Sequence, residues 1–410
     1  MPRPAGNTRL KAARLAAGFR SQQALADALG VGVRQVRRWE SENPPSPQPD
    51  QAQALTRELG QDLEALGFTS PNTAQPDRGR RSVLAATAAV VGLAAVPTTA
   101  ITMQPATVAA DFQAVTRSHR RLYWSVAPAT LHPAAQAHGS LGCALLTETA
   151  GQTRRAVAAA LAESYLLAGR IEFFDMRDAE RAGNTLLLAL QAAGEADDPL
   201  LGAAILAHTA FIPAWEGERD KAAERMVAAR TYARRGAPSA ELLAWLDAVE
   251  AECETRCGDT RTALHLIGHA EDTLDAASDF AQQCPDWLDW FSPVRLAAFK
   301  GNTQVKAGHL PQARETLLGV LDSLDPSEEK QATVVLGDLA AVEAAAGHPD
   351  EACRYALRAL DQLERTWYAM GMDRVREVRR TLAPHQHERC VRELDDRLYG
   401  WSTTVSALSR

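Results

Sequence analysis

Apolar residues recur at helical spacing in two adjacent stretches near the start of the chain. In each stretch the apolar residues form one face of a predicted helix. The first face consists of Ala24, Leu25, Ala28 and Leu29, and the second of Val33, Val36 and Trp39. Ser21 is a favourable N-cap for the first helix, Gln22–Leu29. Residues 30–32 contain two glycines and predict a tight turn before the second helix at 33–40. The pattern therefore predicts two short helices joined by a turn.

The second of these helices carries three arginines away from its apolar face: Arg34, Arg37 and Arg38. Two short helices around a glycine-containing turn are the docking unit of helix-turn-helix proteins, in which the second helix lies in the major groove of DNA. Arginine side chains there bind guanine edges or phosphates. This arrangement predicts that double-stranded DNA is a partner of the chain.

Charge is distributed unevenly along the chain. Residues 1–42 hold eight basic and three acidic side chains, whereas the whole chain of 410 residues has a formal net charge of -7. Arginine outnumbers lysine by 39 to 5, so a single arginine carries little weight. Positive charge concentrated at one end of an acidic protein is nevertheless typical of nucleic-acid binding. The acidic excess lies after residue 110, and we do not expect that part to bind DNA.

The order and spacing of several residues near the start of the chain are specific: Arg14, Gly18, Gln22, Leu25-Ala26, Leu29-Gly30-Val31, Val36 and Arg38-Trp39-Glu40. With these residues, the stretch at about 7–68 resembles the phage-repressor and Cro-like (XRE-type) regulators, and the resemblance implies a lambda-repressor-like fold. It implies that Gln22 binds a phosphate and that Arg37 lies near the DNA backbone. The residues that it implies to face base edges are Val33, Arg34 and Arg38. It also implies structural roles for Trp39 and for a pair between Arg14 and Glu40.

Two further helices and a turn complete this predicted domain. The sequence predicts helices at 8–17 and 50–60 and a last turn over 62–66. Two positions depart from the family that the stretch resembles. Gly32 stands where the family usually has a Ser or Thr cap, and Ser41-Glu42 stand where an Arg-Gly pair is common.

Residues 69–110 are predicted to be a linker that contains a short apolar helix. Arg80-Arg81, the apolar run at 83–96 and the small residues at 97–100 resemble a twin-arginine export signal. An export signal belongs at an N-terminus, however, and the run of 14 residues is shorter than the ~18 to 20 that a membrane-spanning helix needs. The run therefore predicts a connecting helix, with membrane attachment or export as the alternative.

Residues 111–400 show helical periodicity throughout and a repeated arrangement of small residues. The repeats can be aligned on five glycines: Gly169, Gly217, Gly258, Gly308 and Gly347. Each glycine is predicted to end the first helix of an antiparallel hairpin, and small residues at fixed distances from it allow the two helices to approach closely. Over residues 150–365 this pattern is similar to the tetratricopeptide repeat, with longer hairpins and an insertion after Gly169. The alternative is a non-repeating α-helical bundle.

The last part of the chain predicts two terminal helices, at 374–381 and 385–398. They have a natural role in capping the repeat domain or in dimerisation. The complete fold prediction is all-α: an N-terminal helix-turn-helix domain at 7–68, a linker helix, and a tetratricopeptide-like α-solenoid at 111–400.

The sequence contains no recognisable catalytic constellation, and we predict neither an enzyme nor a cofactor. Phosphate-binding loops, nucleophile elbows and HExxH motifs are missing from it. One possible metal-binding pattern consists of Cys253, Cys257, His265 and His269. In a hairpin that turns at residues 258–259, Cys257 and His269 are separated by about two helical turns, which opposes a single tetrahedral site. We therefore predict no metal, and the six scattered cysteines indicate reduced thiols in a cytoplasmic protein.

The first helix of each hairpin is predicted to line an inner groove. Aromatic, arginine and asparagine side chains at these positions suit a peptide ligand, and the candidate ligand-binding residues are Phe211, Trp215, Trp245, Arg256, Arg295, Phe299 and Asn302. Glu163 and Glu252 are predicted to face the same groove. The segment 284–302, with Trp287, Trp290 and Phe291, also fits the hydrophobic spine of one long helix.

The sequence thus predicts a cytoplasmic, homodimeric transcriptional regulator. Its repeat domain would sense a peptide or protein effector and set the geometry of the dimer, as in bacterial peptide-responsive regulators with the same two parts, which the architecture resembles. The alternative is a scaffold or a membrane-tethered signalling protein whose repeats hold a protein partner.

Overall fold

The protein is represented by a computed structural model that describes residues 7–17, 19–41, 44, 45, 47, 49–59, 63, 66, 68, 104–276 and 283–408. The chain divides into two compact units, Met1–Ser82 and Val83–Arg410. All regular secondary structure in the described ranges is helical. The predicted linker helix at 83–96 lies outside the described residues.

The described part of the N-terminal unit contains four helices. They are α1 (Thr8–Ala16), α2 (Gln22–Leu29), α3 (Val33–Trp39) and α4 (Pro49–Leu59). Helix α2 has the predicted bounds, and Ser21 caps it by accepting a hydrogen bond from the backbone N–H of Ala24. The other helices end or begin one residue earlier than predicted. Proline fits the first position of α4, where its missing N–H would have no partner in the helix.

The apolar core of this unit packs α3 against α2. Val36 and Trp39 of α3 are completely buried, as are Leu10, Leu25 and Leu55 from the three other helices. This apolar contact stabilises two helices that are too short to be stable alone.

The C-terminal unit consists of fourteen α-helices in the described ranges. They are α5 (Thr107–Leu122), α6 (Pro128–Thr147), α7 (Gly151–Arg170), α8 (Ala179–Ala196), α9 (Pro199–Trp215), α10 (Arg219–Ala233), α11 (Ala240–Arg256), α12 (Thr260–Asp275), α13 (Pro293–Lys306), α14 (Leu310–Ser323), α15 (Glu329–Ala345), α16 (Pro349–Arg365), α17 (Ala369–Thr381) and α18 (Arg389–Leu408). From α7 to α16, consecutive helices pack as antiparallel pairs in a solenoid-like array. The predicted α-solenoid architecture is therefore confirmed.

Four of the five aligned glycines end the first helix of a pair. Gly217, Gly258, Gly308 and Gly347 have left-handed backbone conformations with φ between 76° and 92°. In each turn, the N–H of the residue after the glycine donates to the carbonyl five residues before it at 2.9 Å. This is the Schellman arrangement, which satisfies carbonyl groups at a helix end and favours glycine.

The prediction that Gly169 ends a helix is wrong. Gly169 lies inside α7, and the helix continues as a π-helix at Ile171–Asp175 before turning at Arg177, whose φ is 61°. Gly169 is instead a position of close approach, because a β-carbon there would lie 2.9 Å from the Leu186 side chain of α8.

Two other predictions in this unit are also corrected. The segment 284–302 is not one long helix: a 3-10 turn at Asp286–Leu288 precedes α13, whose N-cap is Ser292. Ser292 and Pro293 separate the two because they favour a helix start. Helix α17 begins at Ala369 rather than at 374, because the residues at 369–372 are buried and extend it. Helix α18 begins at Arg389 rather than at 385, because a 3-10 turn at Ala383–His385 comes before it.

Candidate functional site

Helix α3 presents a basic surface. Arg34, Arg37 and Arg38 are all exposed, whereas Val36 and Trp39 on the opposite face are buried. Val33 is half-buried and packs against the edge of the domain core. The helix begins after Gly32, which provides no side-chain cap, as the departure from the usual Ser or Thr implies. The first N–H groups of any helix have no partner within the helix, and a capping side chain usually accepts from one of them. At the start of α3 no side chain does so.

An ion pair beneath this surface connects α1 with the end of α3. Arg14 Nε lies 2.7 Å from Glu40 Oε1, and both side chains are about 5% exposed. Arg14 also donates to the carbonyl of Phe19 at 2.8 Å. Gln22, the first residue of α2, donates from its amide to Glu40 Oε2 at 2.6 Å. Glu40 thus fixes the start of α2 relative to the end of α3.

Asn7 is a residue that the sequence analysis did not single out. Its side chain caps α1 by accepting from the backbone N–H of Leu10, and its amide donates to the carbonyls of Trp39 at 3.2 Å and Leu66 at 3.0 Å. One side chain therefore links the start of α1 to the end of α3 and to the end of the domain. From the sequence alone, an Asn before a helix indicates an N-cap and nothing more.

The second candidate site is a cavity of about 140 Å³ in the C-terminal unit. Its walls come mainly from the first helices of successive pairs, α7, α9, α11, α13 and α15, together with α17. Six of the seven candidate ligand residues line it: Phe211, Trp215, Trp245, Arg295, Phe299 and Asn302. The remaining candidate, Arg256, lies behind the wall, with its guanidinium carbon 4.1 Å from the centroid of the Trp215 ring.

Buried ion pairs hold the polar side of the cavity. Glu252 accepts from Asn302 at 3.0 Å and from Arg256 at 3.0 Å. Arg374 Nε lies 3.0 Å from Asp338 Oδ1. Burial raises the pKa of Asp338 to about 6, although the Arg374 charge opposes the shift. Glu163, which was predicted to face the groove, instead pairs with Arg120 of α5 and does not line the cavity.

Several cavity residues were not predicted from the sequence. They include Tyr123, Trp124, Arg170, His208 and Tyr368, and Trp290 was noted only as part of a helix spine. Tyr123 and Trp124 lie before the first repeat, and Tyr368 lies after the last one. The repeat pattern therefore could not indicate Tyr123, Trp124 or Tyr368.

Cys253, Cys257, His265 and His269, the possible metal-binding pattern in the sequence, do not form a metal site in the described structure. Within 104–276, Cys253 is buried in the core, and His269 Nδ1 lies 2.7 Å from Asp247 Oδ2. No group of three or more His, Cys, Asp and Glu side chains among the described residues is arranged to hold a metal ion. Of the helices that the structure describes, none has both the length and the apolar character needed to cross a bilayer.

Comparison with known proteins bears on the N-terminal unit. A helix-turn-helix family model matches residues 10–66, a range that includes most of α1, all of α2 to α4 and the Arg14–Glu40 ion pair. A comparison with curated proteins finds no match to the chain. The family match, together with the exposed arginines of α3, supports a DNA-binding regulator of transcription in which residues 10–66 form the helix-turn-helix domain.

Proposed function

We propose that the protein is a sequence-specific transcriptional regulator whose C-terminal unit binds an effector in the aromatic cavity. The observation that carries the DNA-binding half is the exposed arginine face of α3 on a helix-turn-helix domain. In this proposal, Arg34 and Arg38 bind base edges, Arg37 binds the DNA backbone and Val33 contacts a base such as a thymine methyl group. Gln22 binds a phosphate with the amide hydrogen that Glu40 does not take.

The effector half of the proposal rests on the cavity. A concave site with aromatic walls and a few fixed polar groups is the usual form of a ligand pocket. Its walls come from six helices, so a ligand that contacts several of them favours one spacing of the helices over others. An effector can shift such an equilibrium only to the extent that it binds the two states with different affinity.

We further propose that the protein acts as a cytoplasmic homodimer on two half-sites about one turn of DNA, ~34 Å, apart. The solenoid-like array would resemble tetratricopeptide-repeat sensors in changing curvature when a peptide or protein effector binds. A change in curvature would alter the distance between the two helix-turn-helix domains and hence the affinity for DNA.

Genome-wide footprinting with the full-length protein tests this function. We expect discrete protected sites with two related half-sites, and loss of these sites when Arg34 and Arg38 are both changed to Ala. Arg225→Ala, which removes an exposed arginine of α10, is the matched control and should leave the footprints intact. Footprints that are unaffected by the double substitution, or the lack of any sequence-specific protection, would contradict the proposal.

A further inference from the structure

Arg170 differs from the other buried arginines around the cavity. Its side chain is nine-tenths buried at the end of α7, yet no carboxylate among the described residues lies within ion-pair distance of it, and its Nε has no hydrogen-bond partner. By contrast, Arg295 pairs with Glu328 at 2.6 Å and Arg374 pairs with Asp338 at 3.0 Å. A buried charge without a counter-charge is costly, so its retention calls for a partner that arrives from outside the chain.

Aromatic rings surround the Arg170 guanidinium, and its Nε–H has no acceptor among the described residues. Its central carbon lies 4.9 Å from the Tyr123 ring centroid, 5.8 Å from that of Trp124 and 4.7 Å from that of Trp290. These cation–π contacts stabilise the charge through its faces. The Nε–H donor in the guanidinium plane remains available. The fork of a guanidinium matches the two oxygens of a carboxylate.

Among the described residues, the three other buried arginines around the cavity each have an acidic partner. Arg295, Arg374 and Arg256 have acidic partners in Glu328, Asp338 and Glu252. Arg170 is the cation left over among these, and it affects its neighbours: burial and then the Arg170 charge lower the pKa of His208 to about 3. One added negative charge would neutralise the site.

We propose that the cavity binds an organic monoanion whose carboxylate pairs with Arg170 and whose flat apolar part lies among the aromatic rings. The proposal rests on the proposed function, in which this cavity holds the effector. A carboxylate fits better than a phosphate dianion, because only one positive charge is unbalanced and Glu252 and Asp338 line the same cavity. The cavity volume of about 140 Å³ suits one aromatic ring, since an engineered cavity of about 150 Å³ in another protein accepts benzene.

Isothermal titration of the full-length protein with matched acids and amides tests the proposal. The probes are phenylacetate and phenylacetamide, indole-3-acetate and indole-3-acetamide, and N-acetyl-phenylalanine and its amide. We expect at least one acid to bind tenfold or more tightly than its amide. Arg170→Met should abolish this preference, while Arg170→Lys should retain part of it because the charge remains but the fork is lost.

Arg235→Met is the matched control, since Arg235 also lies over an aromatic ring, that of Tyr232, but on the exposed surface. This variant should bind as the wild type does. Stronger binding of N-acetyl-phenylalanine than of phenylacetate would indicate the end of a peptide, and the reverse would indicate a small aromatic acid. Equal binding of acids and amides, no binding of any acid, or a preference that survives Arg170→Met in a folded protein would overturn the proposal.

The proposed function fails under different outcomes. If an acid binds through Arg170 but leaves the affinity for a footprinted DNA site unchanged, the anion site stands and effector control of DNA binding is contradicted. If an amide binds as well as its acid and still changes DNA affinity, the regulatory function stands and the anion site is contradicted.

Discussion

Lys330 Nζ lies 2.6 Å from Asp175 Oδ1, and the two side chains are completely buried although 155 residues separate them in the chain. The pair connects α15 with the π-helix that follows α7. Trp367 strengthens the same junction by donating from Nε1 to the Asp175 carbonyl at 3.3 Å. The Lys330 ammonium also lies 3.9 Å from the centroid of the Tyr123 ring, which is part of the cavity wall. This pair therefore fixes the separation of helices on two sides of the candidate effector site.

Breaking this pair should strongly destabilise the C-terminal unit. Asp175→Asn leaves the Lys330 charge buried without a partner, and we expect the free energy of unfolding to fall by about 3 to 5 kcal/mol. Thermal unfolding followed by circular dichroism measures the effect. Glu218→Gln, which breaks the exposed ion pair with Lys221, is the control and should leave the midpoint unchanged. A midpoint for Asp175→Asn equal to that of the control would mean that the buried pair does not hold this junction.

Arg170 and Arg374 should respond in opposite ways to the same substitution. Arg170→Met replaces a buried, unpaired guanidinium with an apolar side chain of similar length, so the thermal midpoint without ligand should stay equal or rise. Arg374→Met leaves Asp338 buried without its partner and should cost about 3 to 5 kcal/mol. Differential scanning calorimetry of the two variants decides the matter. A large loss of stability in Arg170→Met would show that Arg170 is a structural residue and needs no external anion.

Two helical glycines should differ in their tolerance of alanine. At Gly337 of α15, a β-carbon would lie 2.5 Å from the β-carbon of Arg374 in α17, which cannot move away without moving its helix. At Gly268 of α12, nothing lies within 4 Å of the same position. Gly337→Ala should therefore lower the free energy of unfolding by about 1 to 3 kcal/mol through overpacking, and lower the thermal midpoint with it. Gly268→Ala should raise the free energy of unfolding by up to ~1 kcal/mol through helix propensity, and raise the midpoint. Equal midpoints for both variants would contradict the close approach of α15 and α17.

Stability should depend on pH through Glu163. Burial raises the pKa of this carboxyl from 4.5 to about 7, with Arg120 acting in the opposite direction. Between these values the folded protein holds a proton that the unfolded chain has lost, so this contribution to stability is full below pH 4.5 and is lost as the pH rises through 7. Glu163→Gln cannot titrate, and its thermal midpoint relative to the wild type should increase from pH 5 to pH 8. A relative midpoint that does not rise over this range would show that Arg120 dominates and holds the pKa at or below its usual value.

Much of the fold could be predicted because it follows from local patterns. The apolar spacing of α2 and α3 and the glycine turns at 217, 258, 308 and 347 each reflect interactions within a few residues. Gly169 misled the alignment because it has the same residue type for a different reason, close packing against Leu186. Sequence spacing cannot distinguish a glycine that needs a positive φ from one that needs space.

The cavity could be predicted only in part for a related reason. Positions on the first helix of each pair, such as Phe211 and Asn302, follow from the repeat geometry. Tyr123 and Tyr368 lie outside the repeats and reach the cavity through long-range packing, which a single sequence does not reveal. The unpaired state of Arg170 can be seen only when every neighbouring carboxylate has been located in three dimensions.

The most direct test of the account is a fluorescence anisotropy titration of one footprinted DNA site with full-length wild type, Arg34→Ala, Arg38→Ala and the control Arg225→Ala, all at the same salt concentration. The account predicts that Arg34→Ala and Arg38→Ala each weaken binding by about 1 to 3 kcal/mol, roughly 5- to 150-fold, and reduce discrimination against a mismatched site. Arg225→Ala should bind as the wild type does. If both α3 variants retain wild-type affinity and discrimination, then α3 does not bind base edges and the proposed function is wrong.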